Sequence, residues 1–146
     1  MAITFHPKRG QILACDFTDG FKAPELVKNR PVLVITPPIV GRAGLVTVVG
    51  ISSVEPNPML PFHLRLARAH MPQLGAFQKA DSWVKADMIY TVDFHRLNQI
   101  LLNKRDPKTG KRAYFRRELP SALMAQIEEC VMHGLAMGHR ITTTDS

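Results

Sequence analysis

A chain of 146 residues with 45% hydrophobic content is long enough for one domain with a real core and too short for two comfortable ones. No segment approaches the apolar length that crosses a bilayer, and Met1 to Gly10, with Pro7, Lys8 and Arg9 after only a few apolar residues, lacks the apolar stretch of a secretory signal. The formal net charge of +7 is concentrated: Lys104 to Arg117 holds seven of the 19 basic residues against one acid, Asp106, a local net of +6 that leaves +1 for everything else.

Gln11 to Phe17 reads as the first strand, ended by the Asp19-Gly20 turn signal. A loop over Phe21 to Asn29 leads into a second strand, Pro31 to Thr36. Its run Val32-Leu33-Val34-Ile35 suits a strand buried on both faces, and Pro37-Pro38 must stop it. Pro31 biases Arg30 toward an extended backbone. The guanidinium is thereby fixed at the edge of the core, where its planar fork of donors suits a phosphate or carboxylate. A structural ion pair with Glu25 is the alternative role for Arg30. Leu45 to Ser53 is the next strand, rich in valine and flanked by Gly44 and by Pro56-Asn57-Pro58. At its end Ser52 and Ser53 point to opposite faces, and either hydroxyl suits an anion or a local turn.

His63 to Leu66 alternates polar and apolar side chains, as a half-buried strand does. Ala67 to Asp81 shows no clear period and contains Pro72 and Gly75, so it reads as a loop, of a length uncommon unless functional or disordered. Trp83 to Val92 resumes strand character and sets Lys85 and Asp87 two residues apart on one face, where the lysine holds the carboxylate ionised or forms an ordinary ion pair. Asp93 is placed to cap a short helical turn through Leu97. Trp83 and Phe77 suit base stacking at a groove, and Trp83 equally suits the core.

Gln99 to Asn103 and Ala113 to Arg117 pair as a hairpin through the turn Asp106-Pro107-Lys108-Thr109-Gly110. Lys104, Arg105, Lys108, Lys111 and Arg112 give that basic hairpin, residues 99–117, a footprint for a polyanion such as nucleic acid or for an acidic protein segment; a solvated tip is the plainer alternative. The period then changes. Leu123, Ile127, Val131 and Leu135 recur every fourth residue with Met124 beside them, while Glu128, Glu129 and His133 fall off the stripe. The spacing predicts an amphipathic helix over residues 120–137, with Pro120 in its first turn and Gly138 ending it in a left-handed conformation. Cys15 and Cys130 are isolated, and His6, His70, His95, His133 and His139 lack metal-like spacing, so no metal and no cofactor is expected and a reducing cytoplasm is the natural compartment.

Four blocks now fall into a familiar order: Gly10-Gln11-Ile12-Leu13-Ala14-Cys15-Asp16-Phe17; Glu25 through Arg30-Pro31-Val32-Leu33-Val34-Ile35; Val46-Thr47-Val48-Val49-Gly50-Ile51-Ser52-Ser53; and Val84-Lys85-Ala86-Asp87-Met88-Ile89-Tyr90-Thr91-Val92-Asp93 followed by Arg96-Leu97. In that order and spacing the chain resembles the PemK/MazF toxins of type II toxin-antitoxin systems. The resemblance covers most of residues 10–97. It implies a mainly β fold with helices (α+β), a strongly bent SH3-like β-barrel of the PemK/MazF/CcdB type with a C-terminal amphipathic helix, extended here by the basic hairpin and contained in a single domain over residues 1–146. It also implies a homodimer, a cognate antitoxin, and metal-independent, sequence-specific cleavage of single-stranded RNA by attack of a ribose 2′-hydroxyl on the adjacent phosphate.

Carried over residue by residue, the resemblance assigns Arg30 to phosphate stabilisation and proton donation, Ser52 to phosphate contact in place of the threonine of many relatives, and Asp87 to the general base. Glu25, Ser53, His63 and Lys85 are supporting or substrate-binding positions. Where relatives that use an aspartate base often carry histidine just before the loop glutamate, this chain has Pro24, and His63 is the imidazole that can approach from a neighbouring strand. The alternative is a non-catalytic nucleic-acid-binding or gyrase-binding protein on the same barrel, similar to the CcdB toxins that trap DNA gyrase.

Overall fold

The β-branched run ahead of Pro37-Pro38 lies inside a six-stranded antiparallel sheet. A computed structural model describes residues 2–72 and 81–141. Its strands are β1 (Ile12–Asp16), β2 (Asn29–Val34), β3 (Leu45–Ser52), β4 (His63–Leu66), β5 (Ser82–Asp93), β6 (Leu97–Asn98), β7 (Leu101–Arg105) and β8 (Arg112–Tyr114), followed by helix α1 (Ser121–Gly134). The sheet order is β4-β5-β3-β2-β1-β6, and β7 and β8 pair separately as a hairpin. The mainly β architecture with a C-terminal helix is the one expected from the sequence. Among the described residues no helix is long and apolar enough to cross a membrane.

Both faces of the central strands are covered, which is why β2 and β3 are apolar almost without interruption. On one face Ile12, Leu33, Val49, Ile51 and Val84 pack with Met124, Ile127 and Cys130 of α1. On the other, Leu13, Cys15, Val32, Val34 and Val48 pack with Phe17 and Leu97. Burying each such side chain contributes about 1.5–3 kcal/mol relative to leaving it in water.

Several boundaries differ from those expected from the sequence. Pro120 is the cap residue rather than part of α1, and the helix closes at Gly134 instead of running to residue 137. The left-handed residue is Ala136, at φ 59°, not Gly138. The Met137 amide closes back on the Met132 carbonyl at 2.8 Å, the six-to-one bond of a Schellman ending. Gly138 serves a close approach: a Cβ there would sit 2.5 Å from Nδ1 of His133. Leu135, expected at the end of the apolar stripe, lies past the helix and is 52% exposed. In the hairpin, β7 lies two residues nearer the turn than predicted, and β8 is shorter and ends at Tyr114, because Phe115 and Leu119 are drawn into the core with their amides bonded to the Ile100 and Gly10 carbonyls. Of the long loop, Arg68–His70 forms one 3-10 turn; residues 73–80, Phe77 among them, lie outside the described residues.

One irregularity governs the polar face of the sheet. The β3–β5 ladder pairs Val49 with Ile89 but Gly50 with Lys85, so Ala86, Asp87 and Met88 bulge out of β5. The last turn of α1 rests on that bulge through Gly134, where a Cβ would lie 2.6 Å from the Ala86 carbonyl oxygen and 2.8 Å from Cα of Asp87. Gly134→Ala gains about 1 kcal/mol of helix propensity but must push the helix off backbone atoms. A net destabilisation of about 1–3 kcal/mol is expected, read by urea unfolding; a variant as stable as the wild type would show that α1 does not bear on the bulge.

Candidate active site

The bulge decides which side chains reach the open face. With unbroken alternation, Ile89 and Lys85 would share a face. Three unpaired residues reverse that parity: Ile89, Ala86 and Val84 all pack in the α1-side cluster, while Lys85 and Trp83 lie opposite Gly50 and Ser52 on the other side of the sheet. β4 has the same parity, with His63 opposite Lys85 and Arg65 opposite Trp83.

Two cross-strand rows result. One runs His63, Lys85, Gly50, Val32 across β4, β5, β3 and β2. The next runs Arg65, Trp83, Ser52. The β2–β3 ladder ends at Val32 opposite Gly50, and Arg30 and Ser52 each lie two residues beyond that pair, on the same open end of the two strands. Arg30 is paired in β1 with the buried Cys15, which sets it on this face. At the 4.8 Å strand spacing, the second row extends roughly 14 Å from β2 to the β4 edge. It presents two guanidinium groups, a hydroxyl and an indole, the chemistry of phosphate binding and base stacking.

Arg30 is exposed, and its Nε donates to the Val27 carbonyl at 3.1 Å. That single bond orients the group and leaves both Nη atoms for a ligand; among the described residues no carboxylate pairs with it, so the ion pair with Glu25 is not formed. The Glu25 carboxylate accepts instead from the Lys22 amide at 3.4 Å. Ser52 Oγ accepts from the Val54 amide at 3.0 Å and donates to the Val54 carbonyl at 3.3 Å, closing a local turn at the strand end. The hydroxyl hydrogen in the longer bond is the one a phosphate would recruit. Ser53 is exposed beside it.

The β1–β2 loop is held down by residues whose part in the site has no sequence motif. Leu26 sits on bare Gly50, where a Cβ would approach it to 2.7 Å, and its amide donates to the Tyr90 hydroxyl at 2.9 Å. Phe17, Phe21 and Tyr90 stack at centroid distances of 5.0–5.6 Å. Arg96 covers Phe21 at 4.8 Å and donates to the Asp16 and Asp19 carbonyls at 3.0 and 2.9 Å. The loop closes through Lys28, at φ 68°, whose carbonyl accepts from the Phe17 amide at 2.7 Å. A lysine tolerates that left-handed geometry only at a cost of about 1–2 kcal/mol, and the strain sits two residues before Arg30. Beneath this loop Cys15 is fully buried, and burial pushes its thiol up to about 12.

His63 Nδ1 accepts from the Leu60 amide at 3.1 Å. The neutral ring therefore carries its proton on Nε2, which makes it a donor toward this face rather than a base. Its carbonyl receives the Cys130 thiol at 4.0 Å, tying β4 to α1. Asp87 is exposed in the bulge, without a β3 partner, and no ion pair joins it to Lys85 among the described residues. Its charge reaches His63, where it opposes the desolvation and the Lys85 charge that together lower the imidazole pKa. Arg65, which carries no motif, pairs with Asp81 at 2.5 Å, and its place in the strand alternation puts it on the same face as His63. Among the described residues no group of His, Cys, Asp or Glu side chains is placed to hold a metal ion.

These bonds set a pH dependence. Because the folded His63 pKa lies below 6.5, the unfolded chain takes up that proton first, and stability falls as pH drops from 6.5 through the folded midpoint. An NMR titration should place the His63 ring midpoint below 6.5, and His63→Gln should flatten the stability profile in that window; a midpoint at or above the free value would contradict the Leu60 bond and the burial that cause it.

Similarity to known proteins agrees with this architecture. A family model described as PemK-like, MazF-like toxin of type II toxin-antitoxin system matches residues 8–135. The chain is 29% identical over 150 residues to the protein YifN of Escherichia coli (strain K12), covering 92% of this chain and 95% of that protein. It is 32% identical over 111 residues to an uncharacterized Haemophilus influenzae protein, covering 68% of this chain and 76% of that one. Among solved structures it superposes on MazF (Form-I) of Deinococcus radiodurans with a TM-score of 0.59 at 21% identity, covering 92% of this chain and all of that one. A mycobacterial endoribonuclease in complex with its cognate antitoxin gives 0.58 at 20% identity, over 90% and 97%. With a family model spanning both the sheet and α1, the chain belongs to the PemK-like, MazF-like toxins of type II toxin-antitoxin systems.

Proposed function

We propose that the protein is a metal-independent endoribonuclease that cuts single-stranded RNA. The observation that carries this reading is the convergence of Arg30, with both Nη atoms unpartnered among the described residues, and Ser52 at the open end of β2 and β3, in a row that continues through Trp83 to Arg65. A phosphate at that end accepts from the guanidinium fork and from the Ser52 hydroxyl, and a neighbouring base stacks on Trp83.

In the reaction Asp87 takes the proton from the ribose 2′-hydroxyl, and the 2′-oxygen attacks phosphorus as the bond to the 5′-oxygen breaks. Arg30 holds the added negative charge on the phosphate oxygens and returns a proton to the departing 5′-oxygen, an alkoxide more basic than neutral guanidine. Lys85, opposite Gly50 in the neighbouring row, adds positive charge beside the bound phosphate. His63 donates from Nε2 to a phosphate oxygen, so the imidazole replaces a donor rather than the base missing at Pro24. The products are a 2′,3′-cyclic phosphate and a 5′-hydroxyl, and DNA, lacking the nucleophile, is not cut.

The same reading includes a homodimer, inhibition by a cognate antitoxin, and work in the cytoplasm. Support for the compartment comes from the two cysteines being free, as a reducing environment keeps them. In excess chelator, the purified protein should cut a long unstructured RNA at a recurring motif and leave 5′-hydroxyl ends. Arg30→Ala should lower the rate by about 10²–10³-fold without changing the circular dichroism spectrum, and Asp87→Asn should lower it comparably. Unaltered cutting by folded Arg30→Ala would sink the assignment; intact RNA with every protein folded would favour a non-catalytic binder.

A further inference from the structure

The β7–β8 hairpin carries most of the net charge and no part of the chemistry above. The Asp106 carboxylate is committed to the turn, accepting from the Lys108 amide at 2.8 Å. Arg105 donates to the Gly110 carbonyl at 2.8 Å and Arg117 to the Ala69 carbonyl at 3.1 Å. Among the described residues no carboxylate pairs with Lys104, Arg105, Lys108, Lys111, Arg116 or Arg117.

The charge frames an aromatic ring. Tyr114 is 43% exposed, and the Arg116 guanidinium lies over it at 5.9 Å. Lys104, Arg116 and Arg117 line a concavity of 370 Å³ beside it. An exposed ring with cations on its border fits a stacked base flanked by phosphates; an acidic peptide would use the charges and leave the ring idle. The position of the hairpin adds to this. The row from Arg30 to Arg65 ends at β4, an edge of the sheet, and Ala69, three residues past the end of β4, is where Arg117 anchors the hairpin.

We infer that the hairpin is a second RNA-binding subsite, in which Tyr114 stacks a base and Lys104, Arg116 and Arg117 hold the flanking phosphates of a strand leaving the cleavage site over the β4 edge. This inference rests on the proposed RNA-cutting function and extends it from the bond that breaks to the flank that is gripped. The contact with phosphates carries no sequence information, so the subsite raises affinity for long RNA without changing the motif cut.

The test is fluorescence anisotropy with 2′-O-methyl oligonucleotides, which lack the nucleophile, of about 5 and about 15 nucleotides. Tyr114→Ala combined with Arg116→Ser should weaken the longer oligonucleotide by about tenfold, reduce its salt dependence, and leave the shorter one within about twofold. Tyr114→Phe, which keeps the ring, should retain wild-type affinity. Undiminished binding of the longer oligonucleotide by the folded double variant, or an equal loss for both lengths, would overturn the subsite. So would unchanged RNA affinity with lost binding to polyglutamate, which would mark the hairpin as an acidic-peptide dock. A wild-type protein that binds the long oligonucleotide through Tyr114 yet cuts no RNA would reject the ribonuclease reading alone.

Discussion

The site depends on a break in register. Three residues bulged from β5 turn Lys85 and Trp83 away from α1 and toward the face where Arg30 and Ser52 end their strands. Remove the bulge and the alternation of the strand would drive a lysine and an indole into the helix-side cluster and expose Val84 and Ala86 in their place. A hydrophobic penalty of several side chains thus enforces the geometry of a polar surface. The bulge is in turn held at Ala86 and Asp87: the Ala86 amide donates to the Phe62 carbonyl at 3.0 Å, and Gly134 lets the helix close on the backbone.

Two glycines that look unremarkable in the sequence do related work. Gly50 leaves room for Leu26, and Gly134 leaves room for the bulge; neither needs a left-handed backbone. Through Leu26 the β1–β2 loop shares its apolar contact with the sheet, and through Tyr90 and Arg96 it shares hydrogen bonds. The segment that presents Arg30 is therefore not an independent flap. Its position is set by the packing of β3 and β5.

Most strands are legible in the sequence because alternation and breakers are local signals: β4 spans the residues that alternation marks, His63–Leu66, and Asp93 caps the turn after β5 by accepting from the His95 amide. The C-terminal helix is legible from its period, but its end is not, because Ala136 takes a conformation usually left to glycine while Gly138 is held by the His133 ring. The bulge has no sequence signal: Ala86-Asp87-Met88 contains neither glycine nor proline. Consequently the regular β3 pairing that alternation predicts past Lys85 is absent, no ion pair joins Lys85 to Asp87 among the described residues, and Arg65 is hidden in a strand whose bounds the pattern places correctly. Arg30 and Ser52 are legible as a pair through the family resemblance; their common strand end comes from the β2–β3 register, which no single-strand pattern contains.

Cys15 adds a chemical consequence. It is the cross-strand partner of Arg30, buried under the loop, with a thiol held almost entirely in its protonated, unreactive form at neutral pH. Nucleophilic reactivity at this sulfur requires both water and deprotonation, and both arrive only when the cluster that buries it opens. The fold therefore contains a kinetic clock: the rate at which a thiol reagent labels Cys15 counts the openings of the cluster on which the β1–β2 loop rests through Phe21 and Leu26, in a protein to which no probe has been added.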